Sequence, residues 1–204
     1  MTQTAFWDKI APKYARQPIK DMSAYEQTME RVRSHLAAGD HVVELGCGTG
    51  ATALLLAPHV EHITATDISR GMIAQAQMRE PHAENVRFIA ARHDEITPPE
   101  GGYDVVMAFN LFHLVRDTEA AFEDVNRMLK PGGLFISKTP SLATLNPLLK
   151  LLIWTMRRIG KAPFVKMMSV DDLDDAIIHA GFDIVETGTY PNKPPNRFVV
   201  ARKR

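Results

Sequence analysis

The feature that most constrains this chain is the run Val42-Val43-Glu44-Leu45-Gly46-Cys47-Gly48-Thr49-Gly50, an apolar strand-like stretch that ends in three alternating glycines. A strand that turns through bare backbone into a helix leaves the carboxyl edge of a sheet open to a ligand that any Cβ would obstruct. Such a turn belongs to a parallel sheet wrapped by helices, and the rest of the chain agrees. Strand-like stretches at 41–45, 62–66, 86–90, 103–109 and 134–138 alternate with helical patterns at 23–38, 50–58, 69–79 and 117–129. Ser169, with Asp171 and Asp172 behind it, starts a helix that Gly181 closes. The stretches 182–187 and 197–202 follow with no helix between them, so they pair antiparallel.

Composition sets the limits. At 204 residues and 45% hydrophobic content the chain buries a full core as one domain. Lys plus Arg equals Asp plus Glu, 24 each, so no overall field draws it to nucleic acid or to an anionic membrane, and such a partner needs a local patch. Cys47 is the only cysteine, which excludes an internal disulfide framework and zinc sites built on paired thiolates. The first fifteen residues carry Asp8, Lys9 and Lys13 and lack the apolar core of a secretory signal. The stretch 142–156 is broken by Asn146, Pro147 and Lys150 and is too short to span a bilayer. A cytoplasmic protein is expected, and nothing in the pattern selects an oligomeric state.

Asp67 follows Gly50 by 17 residues and ends the second strand, where its carboxylate can accept both ribose hydroxyls of an adenosine. Two cofactor classes contain that adenosine. The dinucleotide fingerprint is G-x-G-x-x-G, whereas this chain has G-x-G-x-G with Glu44 two residues ahead. A carboxylate there suits the cationic sulfonium and amino-acid end of S-adenosylmethionine and repels a pyrophosphate. An NAD(P)-dependent reductase is therefore the disfavoured alternative. A noncatalytic S-adenosylmethionine-binding regulatory protein is the other.

These residues resemble the class I S-adenosylmethionine-dependent methyltransferases, in particular the small-molecule branch that includes the ubiquinone and menaquinone biosynthesis enzymes. Glu44 through Gly50 match the family's first motif, Asp67-Ile68-Ser69 its ribose-binding turn, and Gly71-Met72 the start of the next helix. Phe6-Trp7-Asp8 through Tyr14 is similar to its N-terminal lid, Tyr103-Asp104-Val105-Val106 to its fourth strand, and Leu129-Lys130-Pro131-Gly132-Gly133 to the turn before its fifth. The resemblance implies a Rossmann-like α/β fold: a seven-stranded, mostly parallel sheet with an antiparallel last strand and helices on both faces. It implies S-adenosylmethionine as cofactor and S-adenosylhomocysteine as product. Gly46, Cys47, Gly48 and Gly50 would give the cofactor room, Glu44 would hold its cationic end, Asp67 its ribose, and Ile68 and Met72 its adenine, with Tyr14 approaching from the lid.

Departures from the family pattern matter as well. Where members carry Gly-Asp-Ala after the third strand, this chain has Ala91-Arg92-His93, with Asp94 one residue late. The His93 backbone N–H is expected to serve adenine, with Asp94 as the substitute carboxylate. Phe109-Asn110-Leu111-Phe112-His113 replaces the Asn-Pro-Pro-aromatic run of enzymes that methylate DNA or amide nitrogen, and Asn192-Lys193-Pro194-Pro195 lies too far along the chain to substitute. A small-molecule acceptor and no nucleic acid are expected. His113 has two readings, a general base toward the acceptor or a histidine that fixes its loop. His59 and His62 have no carboxylate or thiol at ligand spacing, so no metal site is expected.

Two segments are expected to act as lids, a helical one at 1–38 and a basic amphipathic insertion at 140–168. From Lys138 to Met168 the chain carries Lys138, Lys150, Arg157, Arg158, Lys161 and Lys166 and no acid. Leu145, Leu149, Leu152, Met156 and Ile159 share one helical face. That face is expected either to pack over the substrate pocket or, across 142–166, to meet lipid at a membrane periphery or a hydrophobic, anionic substrate.

Overall fold

In the computed structural model, which describes residues 2–192 and 195–204, strand β1 (His41–Leu45) lies at the centre of the sheet and is buried along almost its whole length. Its apolar residues explain this: Val43 and Leu45 point to one face and Val42 to the other, and both faces carry helices. The strands are β2 (His62–Asp67), β3 (Val86–Ala90), β4 (Tyr103–Phe109), β5 (Leu129–Pro140), β6 (Phe182–Asn192) and β7 (Pro195–Lys203). Their order is β3-β2-β1-β4-β5-β7-β6, with β7 antiparallel to both neighbours and the pairs from β3 to β5 parallel. Strand order reverses between β1 and β4, and a crevice at the carboxyl ends there is where open α/β sheets hold ligands.

On one face α5 (Thr118–Met128) and α7 (Val170–His179) pack on the sheet through Phe122, Val125, Leu173 and Ile177. Phe122 stands 4.3 Å from Phe112 and 5.9 Å from Phe135, ring centre to ring centre. On the other face α2 (Met22–Arg33), α3 (Ala51–Leu56) and α4 (Arg70–Gln77) contribute Met29, Val32, Leu56 and Ile73. The bidentate Arg31–Glu186 pair, joined by His35 at 2.7 Å, ties α2 to β6 and holds the Glu186 carboxyl down at about 2.

Several boundaries differ from the sequence expectation. Strand β5 begins at Leu129 rather than 134, because Leu129 pairs with Tyr103 before a bulge at 130–133 and pairing resumes at Leu134 with Val105. Strands β6 and β7 extend further than expected, because β7 inserts between β5 and β6 and most added residues gain a ladder partner, with a register shift between Thr189 and Asn192. In the run at 192–195, Lys193 and Pro194 lie outside the described residues. The expected lid at 1–38 divides in two: α2 is a layer of the sheet, whereas α1 (Gln3–Tyr14) buries only Ala11 and lies across the start of α4. The insertion is an excursion closed at its base, where the Met168 carbonyl accepts from Leu142 N, Ala143 N and Ser141 Oγ. No helix among the described residues is long and apolar enough to cross a membrane.

Candidate functional site

The glycine turn is locked by its own backbone. Cys47 N donates to Thr66 O at 2.8 Å, and Gly50 N donates to Cys47 O at 3.0 Å. Gly46, Gly48 and Gly50 all have positive φ, where a Cβ is strained. Their surroundings differ, however. A Cβ on Gly46 would stand 2.9 Å from Leu111 Cδ1, and one on Gly50 2.7 Å from Phe88 Cε1 and 2.9 Å from Ala76 Cβ. One on Gly48 would meet only Tyr14 Cε1, at 3.9 Å. Gly46 and Gly50 thus make room for the protein itself, and only the Gly48 side of the turn is open to a ligand. Replacing Gly50 by Ala is expected to lower thermal stability by roughly 2–4 kcal/mol, from φ strain and collision with a packed ring together. A Phe88→Leu background should recover part of that loss in a melting experiment, and no recovery would refute the packing account.

Asp67 completes the turn. Its Oδ2 accepts from Gly48 N at 3.0 Å and its Oδ1 from Ser69 N at 2.8 Å, so each oxygen keeps a lone pair for a further donor. Burial raises its pKa above the ordinary value, against the lowering by those two bonds. Glu44, one strand over, is 2% exposed; its Oε2 is buried with no hydrogen-bond partner. Burial first and the Asp67 charge second push its carboxyl up to about 8. Among the described residues no cationic side chain pairs with Glu44, Asp67 or Asp8. The turn is therefore ringed by carboxylates that lack a counter-charge, which is the electrostatic complement of a cation and not of a phosphate.

A family model described as a methyltransferase domain matches residues 9–187. The chain belongs to that family. This methyltransferase domain is 27% identical, over 158 residues, to a protein of Mycolicibacterium smegmatis named as a probable S-adenosylmethionine-dependent methyltransferase, covering 76% of this chain and 56% of that protein. It is 27% identical over 138 residues to the demethylmenaquinone methyltransferase of Clavibacter sepedonicus, covering 65% of this chain and 56% of that enzyme. The YcgJ protein of Bacillus subtilis superposes with a TM-score of 0.70 at 16% identity, over 88% of this chain and 99% of that one, and shows the shared fold. The chain spans about half the length of the first curated relatives it matches, apart from a much longer synthetase. S-adenosylmethionine is the methyl donor of the family, and the uncompensated carboxylates, with the open side of Gly48, fit its cationic end.

The methyltransferase domain distributes the other candidate residues unevenly. Tyr14 reaches the turn from α1 beside Gly48, 44% exposed, its hydroxyl raised by burial and then by Asp67. Ile68 is half-buried beside Asp67, and Met72 is buried in the first turn of α4, its N–H capped by Ser69 Oγ at 3.0 Å. Cys47 turns its side chain into the core, where burial pushes the thiol up; its N–H and C=O are both engaged, leaving it no free polar backbone group. The His93 ring is bonded through Nδ1 to Asp124 on α5 at 2.7 Å, which holds the imidazole against that helix. Asp94 is exposed and bonded bidentately to Arg92 at 2.9 Å. His113 lies in a short 3-10 turn after β4, its Nδ1 buried without a partner, and burial lowers its pKa to about 4. Its carbonyl accepts from Lys166 N at 2.7 Å, which fastens the insertion to the end of β4.

Three residues carry more than the sequence reading assigned them. Asp8 Oδ1 accepts from Ser69 Oγ at 2.6 Å and Gly71 N at 2.9 Å, capping α4 from α1; a Cβ on Gly71 would stand 3.1 Å from Asp8 Cα. The partners are more than sixty residues apart, so no local pattern reveals them. Tyr25, from α2, is half-buried with its hydroxyl raised by burial, and feels Glu44. Lys138, at the carboxyl end of β5, is 8% exposed and donates to Thr28 Oγ1 at 2.8 Å. Burial lowers its pKa. A charge inside an otherwise apolar strand was the one sequence signal for it. Its neighbour Ala24 helps line a cavity of about 460 Å³ between α2 and the far end of β6, away from the glycine turn.

Proposed function

We propose that this chain transfers the methyl group of S-adenosylmethionine to a small acceptor of hydrophobic or lipid-like character and releases S-adenosylhomocysteine. The observation that carries this reading is Glu44, a buried carboxyl group with no counter-charge and with its Oε2 left without a donor, beside the open Gly48 backbone. An ammonium brought beside it favours its ionised form, whereas a diphosphate finds no positive charge there and meets the Asp67 carboxylate, which disfavours the nicotinamide alternative. Asp67 would hold the ribose through its two free lone pairs, Ile68 and Met72 would flank adenine, the His93 N–H would meet its edge, and Tyr14 would cover the turn. Asp94 serves the ring only by leaving Arg92. The bound donor supplies an electrophilic methyl on a positively charged sulfur; the chain itself orients the acceptor and excludes water. The similarity to a demethylmenaquinone methyltransferase supports an apolar acceptor.

His113 is the catalytic candidate. With a pKa of about 4 its imidazole is neutral through the physiological range and its free Nδ1 accepts a hydrogen bond or a proton. A base that weak contributes less than one tuned to neutrality, so His113→Ala is expected to lower turnover about tenfold while S-adenosylhomocysteine affinity holds. Unchanged turnover would reduce it to a residue that fixes its loop. The decisive experiment incubates the protein with cell extract and isotope-labelled S-adenosylmethionine, followed by mass identification of the labelled product. A protein that binds S-adenosylhomocysteine but labels nothing would be the noncatalytic binder instead, and thermal stabilisation by NADH alone would revive the reductase.

A further inference from the structure

Helix α6 (Pro147–Arg158) divides the face that periodicity assigned to it: Met156 lies on the partly covered side, and Leu152 and Ile159 face outward. None of its residues is buried. The partly covered side carries Lys150, Ile153 and Met156, while Leu148, Leu151 and Trp154 are 76%, 57% and 52% exposed, and Leu152 and Ile159 face outward as well. At 100° per residue Leu148, Leu151, Leu152 and Ile159 form one apolar stripe. A twelve-residue helix with so little buried is marginal in water unless its apolar stripe is covered.

Its charges say what covers it. The insertion at 142–166 carries Lys150, Arg157, Arg158, Lys161 and Lys166 and no acid. Among the described residues none of these cations pairs with a carboxylate. Arg158 lies 5.0 Å over the Trp154 ring, beside the stripe, and Arg157 4.8 Å over Phe164. A second copy stacked on this face would set like charges against like charges across an apolar seam, without an acid to relieve them. An anionic bilayer offers both complements, apolar depth for the leucines and negative headgroups for Arg158 at their edge and for the acid-free insertion around them.

We infer that the outward face of α6 docks on an anionic lipid surface, with Leu148, Leu151 and Leu152 entering the acyl boundary and Arg158, at the edge of their stripe, meeting headgroups. This rests on the surface alone and is independent of the acceptor and of methyl transfer. The test is flotation of the full chain with vesicles of phosphatidylcholine alone or mixed with phosphatidylglycerol, at low and high salt. The expected result is binding to the mixed vesicles only, weakened by salt, with a blue shift in tryptophan emission that Trp154→Phe abolishes. A Leu148→Ser/Leu151→Ser/Leu152→Ser variant should bind at least about tenfold more weakly and an Arg158→Ala variant about fivefold more weakly, both at unchanged melting temperature. The inference is overturned by absence of vesicle binding, by equal binding to neutral vesicles, or by binding that survives the triple serine substitution. Leucine-dependent self-association, or capture of an acidic protein, without vesicle binding would overturn it too.

Discussion

Replacing Asp67 with Ala weakens S-adenosylhomocysteine binding by at least about a hundredfold, with little change in melting temperature. An ionised carboxylate has about four acceptor sites. Two are taken by the Gly48 and Ser69 N–H groups, one on each oxygen, and two remain for a ligand. Hydrogen bonds to a charged group are worth roughly 1.5–3 kcal/mol each, so losing two ribose contacts corresponds to two or more orders of magnitude before compensation. Stability responds differently. The substitution strands two N–H groups, but it also removes a partly buried charge that repels Glu44. Asn is no conservative replacement, since its amide nitrogen would face an N–H where an acceptor is needed. Calorimetry with S-adenosylhomocysteine measures the effect, and an affinity equal to wild type would remove Asp67 from the site.

Glu44→Gln is expected to do the opposite to stability. The folded chain holds this carboxyl at about 8 against an ordinary 4.5, so the folded state binds a proton that the unfolded state releases between those values. Stability contributed by Glu44 therefore falls as pH rises through that window, by roughly 3 kcal/mol at pH 7 at about 1.4 kcal/mol per unit. His113 has the reverse sign. Its imidazole is held at about 4 against 6.5, so stability is lost as pH falls from 6.5 to 4 while the unfolded state takes up the proton. The two slopes oppose each other between pH 4.5 and 6.5 and nearly cancel in the wild-type chain. Denaturation across pH should therefore find Glu44→Gln more stable near pH 7.5 and acid-sensitive, and His113→Asn losing stability steadily from pH 4.5 to 8. Parallel profiles for all three proteins would refute the assignment. Greater stability with weaker S-adenosylmethionine binding in Glu44→Gln would mark a strained group kept for its ligand.

The same distinction, between what a residue is and what surrounds it, decides how much was legible in advance. Local pattern fixed β1, the glycine turn, the Asp67 position and the Ser69 and Ser169 caps, since each depends on residues within a few positions of one another. It could not separate the glycines. Gly50 is required by Phe88 and Ala76, on other elements, whereas Gly48 alone faces open space. Nor could it choose the packed side of α6. Apolar residues surround that helix, and periodicity tells which of them share a face but not which face meets the protein.

By itself, then, the sequence determined the parallel sheet, the strand order's antiparallel ending and the adenosine-binding turn, because strand, turn and helix signals are short-range and the chain carries them in series. Only the tertiary structure decided that Asp8 clamps α1 onto α4, that His93 is spent on Asp124, that Glu44 is buried without a partner and that the α6 leucines face outward. Each of these depends on what a distant part of the chain leaves beside the group. Burial, and with it a pKa or a free lone pair, is a property of that neighbourhood and not of the residue.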